Sequence, residues 1–280
     1  MIIDFHTHTF PESIAAATVQ KLSQVSRTKP FTDGSAAALS ASMQRAGVDY
    51  SILLPVATKA RQVPGINDSA AAICGRGEGL ISFGGMHPDY SEWKEELERI
   101  AALGLKGIKI HPVYQGVDLD DIRYLRILER AGELGLIVVT HGGIDIGYPA
   151  EMHSAPEKIR SAMRQVGPVK LVAAHMGGWK QWDAALESLA DMEVYLDTSF
   201  STGHMVPISD SGYTDEELQL MDETQFTAMV RAFGAHRILF GTDSPWSGQK
   251  ESVSWLQNAP LTEEERTAIL GGNARKLLNI

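Results

Sequence analysis

A chain of 280 residues, 44% hydrophobic and 21% charged, has the make-up of an ordinary globular protein and can bury about three quarters of its unfolded surface. Its net charge of −10, with no basic cluster, argues against nucleic acid or an anionic membrane as a partner. Cys74 is the only cysteine, no run approaches ~20 apolar residues, and no basic segment precedes an apolar one, so the expectation is a cytoplasmic protein without disulfide or membrane span.

The predicted elements begin at once. Ile2–His8 reads as a strand, with Ile2, Ile3 and Phe5 as core candidates. Side chains alternate along a strand with a period of two, so Asp4, His6 and His8 share one face. Two imidazoles so placed make half of a metal site, and Asp4 is suited to accept a hydrogen bond from a ligand histidine or to bind the ion weakly. Seven more apolar runs rich in β-branched residues follow: Tyr50–Val56, Leu80–Met86, Gly107–His111, Leu136–His141, Lys170–His175, Val194–Thr198 and Ile238–Asp243. Each is continuously apolar, as in parallel strands covered on both faces. Amphipathic helices are predicted at Ser91–Leu103, Asp120–Leu134, Ala155–Val166, Lys180–Ala190, Asp215–Phe233 and Glu251–Asn258, with Gly104, Gly135 and Gly234 as stops. Thr262–Leu278 reads as a terminal helix, capped by Thr262 and followed by three glutamates at its positive end.

Eight strand–helix repeats point to an α/β protein with a (β/α)8 TIM-barrel fold, a single domain over residues 1–280 with a C-terminal helix. No Gly-x-Gly-x-x-Gly follows the first strand, so a dinucleotide fold loses support. The irregular stretches Ala57–Asp68, Gly142–Ser154 and Phe200–Tyr213 are candidate lids and substrate walls.

Of nine histidines, His6, His8, His87, His111, His141 and His175 fall at or just past the C-terminal end of a predicted strand, and Asp243 ends the eighth. Barrel active sites lie at that end. His153, His204 and His236 fall outside the pattern. His87-Pro88 reads as a turn with a satisfied imidazole, and His111-Pro112 as a strand closure. Lys59 and Arg61, after the second strand, suit either an anionic group at a pocket mouth or plain solvation. Tyr148 and Trp246 suit an aromatic wall or ordinary packing, and Asp145 a ligand contact or a turn cap. Asn273 reads as local structure.

The segments IIDFHTHTF, GMHPD, GLKGIKIHP, VVTHGG, LVAAHMGG, VYLDTS, ILFGTDSPW and ILGGNARKLL, in that order, resemble the amidohydrolase superfamily. Within it the chain is similar to the amidohydrolase-2 branch of TIM-barrel hydrolases and aromatic-acid decarboxylases. The resemblance implies that His6, His8, His141 and Asp243 bind one divalent metal, Zn²⁺ first, with Mn²⁺ or Fe²⁺ also suited to three imidazoles and a carboxylate. It implies that Asp243 takes a proton from a water activated by the ion, and that His175 hydrogen-bonds that water or the developing oxyanion. Lys109 keeps three readings: a carboxylated bridge to a second ion, a partner for a substrate carboxylate, or an ion pair with a buried acid. A mononuclear branch favours the latter two. The candidate substrate contacts are Lys109, His111, Arg61 and Tyr148.

The activity so implied is metal-dependent hydrolysis of an amide, ester or lactone in a small substrate, anionic ones included. The alternative is non-oxidative decarboxylation of an aromatic or unsaturated acid. A TatD-type nuclease shares several motifs but is expected to carry a glutamate near the fourth strand, where this chain has Lys109. A purely structural metal is disfavoured, because such sites are closed and often cysteine-rich. Relatives are often dimers, so a homodimer is compatible with the resemblance.

Overall fold

The computed structural model describes residues 1–75 and 77–280. Every expected strand is present: β1 (Ile3–Thr7), β2 (Tyr50–Leu53), β3 (Leu80–Ser82), β4 (Gly84–Gly85), β5 (Gly107–Ile110), β6 (Ile137–Thr140), β7 (Lys170–Ala173), β8 (Tyr195–Asp197) and β9 (Ile238–Leu239). The third run is split into β3 and β4 at Phe83, where Asn67 Oδ1 accepts the Gly85 N–H at 2.8 Å in place of a strand carbonyl. The described residues gather into two compact units, Met1–Leu53 with Asp197–Ile280 (unit 1) and Leu54–Leu196 (unit 2). None of their helices is long and apolar enough to cross a membrane.

In unit 1, β1 pairs in parallel with β2, with Ile3 opposite Tyr50, Asp4 opposite Ser51 and Thr7 opposite Leu53. Along its other edge the Phe5 N–H reaches Phe240 O, the Asp243 N–H reaches His6 O and the His8 N–H reaches Ser244 O, each at 2.7 Å. Three backbone bonds therefore tie the chain after β9 to the end of β1. Ile3, Phe5, Ile52 and Phe240 are buried, as are Val19, Leu39, Phe226, Val230, Val253 and Leu256 from four helices. Removing each of the larger side chains from water contributes about 1.5–3 kcal/mol. Two of those helices, Ala15–Ser26 and Ala36–Ala46, lie where no helix was predicted, because small residues make up much of their length.

Two predicted helices of unit 1 are interrupted. Asp215–Phe233 becomes Asp215–Leu218 and Glu223–Phe233, since Gln219 turns extended and Leu220 and Met221 bond instead to the backbone of Gly203 and Ser201. Asp222 then caps the second piece by accepting the Gln225 N–H at 2.8 Å. The terminal helix starts as expected, with a reciprocal Thr262–Glu265 capping box, but opens into a π turn at Ala268–Gly272 before Asn273–Leu278. The Ile269 carbonyl is diverted to the Phe240 N–H at 3.0 Å, and the Met1 carbonyl packs so close to Gly271 that a Cβ there would stand 2.5 Å from it. Asn273 does more than local work: its amide donates to Ala235 O at 2.7 Å and Ile238 O at 2.8 Å, holding the start of β9.

In unit 2, β4, β5, β6, β7 and β8 form a parallel ladder in that order. Gly107 stands where a Cβ would meet Ile137 O at 2.2 Å, so only glycine permits this approach of β5 to β6. Helices Val63–Cys74, Trp93–Ala102, Ile122–Glu133, Pro156–Met163 and Trp182–Leu189 alternate with the strands. The expected irregular stretch Ala57–Asp68 is mostly helical, with a short 3-10 turn at Ala60–Gln62 running into Val63–Cys74. Gln62 closes that turn by accepting the Lys59 N–H at 2.8 Å, a local bond that no hydrophobic pattern announces.

Candidate metal centre

The end of β1 delivers His6 and His8, and the turn after β9 delivers Asp243. His8 Nε2 lies 3.2 Å from His6 Nε2 and 3.0 Å from Asp243 Oδ1, and His6 Nε2 lies 3.4 Å from the same oxygen. Three ligand atoms thus form a nearly equilateral triangle. Around an ion with bonds near 2.0–2.1 Å, neighbouring ligands are separated by about 3.0 Å in octahedral and about 3.3 Å in tetrahedral geometry. The triangle matches one face of either polyhedron, so the donor set fits a divalent ion without rearrangement.

What holds the triangle is partly backbone and partly a carboxylate. The Asp243 N–H bonds to His6 O, and the Trp246 N–H bonds back to Asp243 O at 2.8 Å. Asp243 itself sits at φ 66°, a left-handed conformation that costs a non-glycine residue about 1–2 kcal/mol and recurs at functional sites. On the far side of the His6 ring, Nδ1 lies 2.8 Å from Asp197 Oδ2 and 3.0 Å from Ser199 Oγ. Asp197 ends β8, and it also accepts the Ser199 N–H at 3.1 Å and the Ser199 hydroxyl.

Asp4 supports the ligand-bearing backbone. It accepts the Thr242 N–H at 2.9 Å, the Thr242 hydroxyl at 2.6 Å, the Gln249 amide at 2.8 Å and the His6 backbone N–H at 3.3 Å. Burial raises its pKa to about 6 against the pull of these four donors. Asp4 therefore braces the backbone of both ligand-bearing segments, while Asp197 supports the imidazole. Asp197 and Ser199 were passed over in the sequence although the rule that picked out the histidines, a polar residue closing an apolar strand run, applies equally to Asp197.

Unit 2 collects the other strand-end histidines. His111 stacks on His141 with centroids 4.3 Å apart and planes 15° from parallel, and Tyr114 stacks on His111 at 3.8 Å and 9°. His175 Nε2 meets His141 Nδ1 at 3.1 Å. His111 Nε2 lies 3.6 Å from Asp145 Oδ2, and His111 Nδ1 caps the short helix Pro112–Gln115 by accepting the Tyr114 N–H at 3.4 Å. His175 adopts φ 59°, so Asp243, expected to take a proton, and His175, expected to hydrogen-bond the water or oxyanion, both have left-handed backbones. Although His111, His141 and Asp145 are close enough to suggest a second ion, imidazole lone pairs lie in the ring plane, and two parallel planes do not meet on one ion.

The remaining candidates fall as follows. Lys109, on β5, is fully buried. Tyr148 is half exposed and packs edge-on against Tyr114 at 5.7 Å. Arg61 is exposed on the 3-10 turn, as is the neighbouring Lys59. His87 accepts the Asp89 N–H at 3.1 Å, and burial lowers its pKa, as befits a turn histidine.

The amidohydrolase family profile matches residues 3–280. The chain belongs to the amidohydrolase family. Among solved structures, an uncharacterised TIM-barrel protein from Bordetella bronchiseptica is 18% identical to this amidohydrolase-family chain, covers 99% of it over 98% of its own length, and superposes with a TM-score of 0.73. A dihydroxybenzoic acid decarboxylase from Polaromonas sp. JS666, with bound manganese and the inhibitor 2-nitroresorcinol, is 16% identical with coverages of 99% and 96% and a TM-score of 0.72. A Pseudomonas putida protein assigned as a 2-pyrone-4,6-dicarboxylic acid hydrolase is 19% identical with coverages of 99% and 97% and a TM-score of 0.66. Among curated proteins, none matches the chain in sequence. At these identities the likeness establishes the fold, the expected TIM barrel of parallel strands and helices, and this amidohydrolase-family protein stands in a superfamily of enzymes.

Proposed function

We propose that this protein is a divalent-metal-dependent hydrolase that cleaves an amide, ester or lactone in a small substrate. The observation that carries the reading is the triangle of His6 Nε2, His8 Nε2 and Asp243 Oδ1, with edges of 3.0–3.4 Å. His6, His8 and Asp243 would hold a divalent ion, whose chemistry there would be to lower the pKa of a water to about 7 and to polarise a carbonyl. His6 and His8 present nitrogen lone pairs, and Asp243 supplies negative charge. The Asp243 carboxylate accepts the proton of the attacking water and returns it to the leaving group, the part of general base and then general acid. The resemblance in sequence adds His141 as a fourth ligand, His175 as a hydrogen-bonding group for the oxyanion, and Zn²⁺ as the first choice of metal, and these assignments belong to the proposal. So do Lys109, His111, Arg61 and Tyr148 as substrate contacts, and a cytoplasmic setting.

Decarboxylation of an aromatic acid is the second reading. It is favoured by the manganese-bound decarboxylase of the same fold and by the 5-carboxyvanillate decarboxylase from Sphingomonas paucimobilis that also shares it. One experiment separates the two: protein loaded with Zn²⁺ or Mn²⁺ is offered lactones, esters and amides alongside hydroxybenzoates, and acid release and CO₂ release are recorded. Hydrolysis without CO₂ supports the proposal, and CO₂ alone replaces it with the second reading. Protein that takes up no stoichiometric divalent ion overturns both. Metal analysis of the His141→Ala variant tests the fourth ligand, with loss of the ion expected.

A further inference from the structure

We propose that Asp197, held by Ser199, is a positioning residue that presets His6 as a ligand by fixing which ring nitrogen carries the proton; this rests on the metal-binding reading above. A neutral imidazole has one N–H and one lone pair, and a metal takes only the lone pair. His6 Nδ1 faces two groups, Asp197 Oδ2 at 2.8 Å and Ser199 Oγ at 3.0 Å. A carboxylate only accepts, whereas a hydroxyl can donate. If Ser199 donated to Nδ1, the proton would sit on Nε2 and block the face that meets His8 and Asp243.

The geometry settles the contest. The Ser199 hydroxyl is turned to Asp197 Oδ1, in a shorter contact than the one to His6, and the Ser199 N–H donates to that same oxygen at 3.1 Å. With its hydroxyl donating to Oδ1, Ser199 turns lone pairs toward the ring, and the carboxylate oxygen Oδ2 accepts the His6 Nδ1–H at 2.8 Å. All three residues are fully buried, so water does not offer the ring an alternative partner. Second partners of this kind orient a ligand histidine and raise its basicity.

Asp197→Asn tests this with almost no change in shape. The amide can satisfy the Ser199 N–H only by turning its oxygen there, which aims its NH₂ at His6 Nδ1 and drives the ring proton to Nε2. Mn²⁺ affinity, read by chelator competition, is expected to fall roughly 10- to 100-fold. Ser199→Ala, which keeps the carboxylate, is expected to lose less. Nitrogen-15 NMR of the metal-free protein, with the His6 ring assigned against His6→Gln, is expected to place the proton on Nδ1 in the wild type and on Nε2 in Asp197→Asn, a change that mere loosening of the fold does not produce. Unchanged Mn²⁺ affinity in folded Asp197→Asn overturns the proposal. So does an Nε2 proton in the wild type, a measurement that needs no variant to fold. Wild-type protein that binds no Mn²⁺ while its His6 carries the proton on Nδ1 sinks the metal reading and leaves the tautomer assignment standing.

Discussion

The two histidine clusters differ in what their rings do, although both stand at the ends of parallel strands. In unit 1, His6 and His8 meet edge-on at 72° with nitrogens 3.2 Å apart, and a carboxylate closes the figure. In unit 2, Tyr114, His111 and His141 lie nearly flat on one another, and only the end of the row repeats the edge-on arrangement, His175 meeting His141 at 62° with nitrogens 3.1 Å apart. Edge-on rings bring lone pairs together, and that suits a cation. Face-to-face rings bring π surfaces together, and that suits packing and hydrogen-bonded proton positions. Strand-end placement puts both kinds of pair side by side: His111 lies in the stacked part of the row, whereas His141, the fourth ligand of the proposal, also meets a neighbour edge-on.

The contrast is most easily broken at the triangle. His8→Ala and Asp243→Asn are each expected to lower metal affinity by roughly 100-fold or more. Elemental analysis after gel filtration would then find near-stoichiometric metal in the wild type and almost none in the variants. Retention of a full equivalent would mean the ion, if any, is held elsewhere. His111→Ala sharpens the other side. It removes two stacking contacts and the cap on Pro112–Gln115, for an expected stability loss of about 1–3 kcal/mol by denaturant titration, with metal content unchanged. Metal loss in that variant would erase the distinction between His111 and the ligand histidines.

Lys109→Met replaces the buried ammonium with an apolar chain of similar length. If Lys109 does not bridge ions, wild type and variant carry the same single equivalent. A second equivalent that disappears with the lysine would establish a binuclear centre.

The smallest effect lies away from both clusters. Arg160 pairs with Asp191 and holds its pKa down at about 2. A depressed carboxylate contributes stability above its unfolded pKa near 4 and loses it as pH falls toward 2. The wild type should therefore lose more stability than Asp191→Asn across that window, by a modest margin because the pair is solvent-exposed. Parallel acid-unfolding curves for the two proteins would remove this contribution.

Much of this was legible in the primary structure. Buried parallel strands are continuous apolar runs, so eight runs stand out without reference to their partners, the split of the third into β3 and β4 aside, and His6, His8 and Asp243 are marked by closing such runs. The helices that escaped notice, Ala15–Ser26, Ala36–Ala46 and Val63–Cys74, are rich in alanine and serine, which give little periodic contrast. The interrupted helices escaped for another reason. Leu220, Met221 and Ile269 exchange helical bonds for partners distant in the chain, and local propensity carries no record of that exchange.

By itself, the sequence determined the element order, the family and the residue types offered at each strand end, because hydrophobic periodicity and motif spacing are properties of neighbouring residues. Only the tertiary structure decided which of those residues meet. Asp243 reaches His6 through a bond between their backbones, and Asp197 reaches the His6 ring across 191 residues of chain. Asp4, one pleat from His6, bonds the backbone of His6 and Thr242, the Thr242 hydroxyl and the Gln249 amide. Alternation gives each side chain a face, but partners are assigned when strands far apart in sequence come into register.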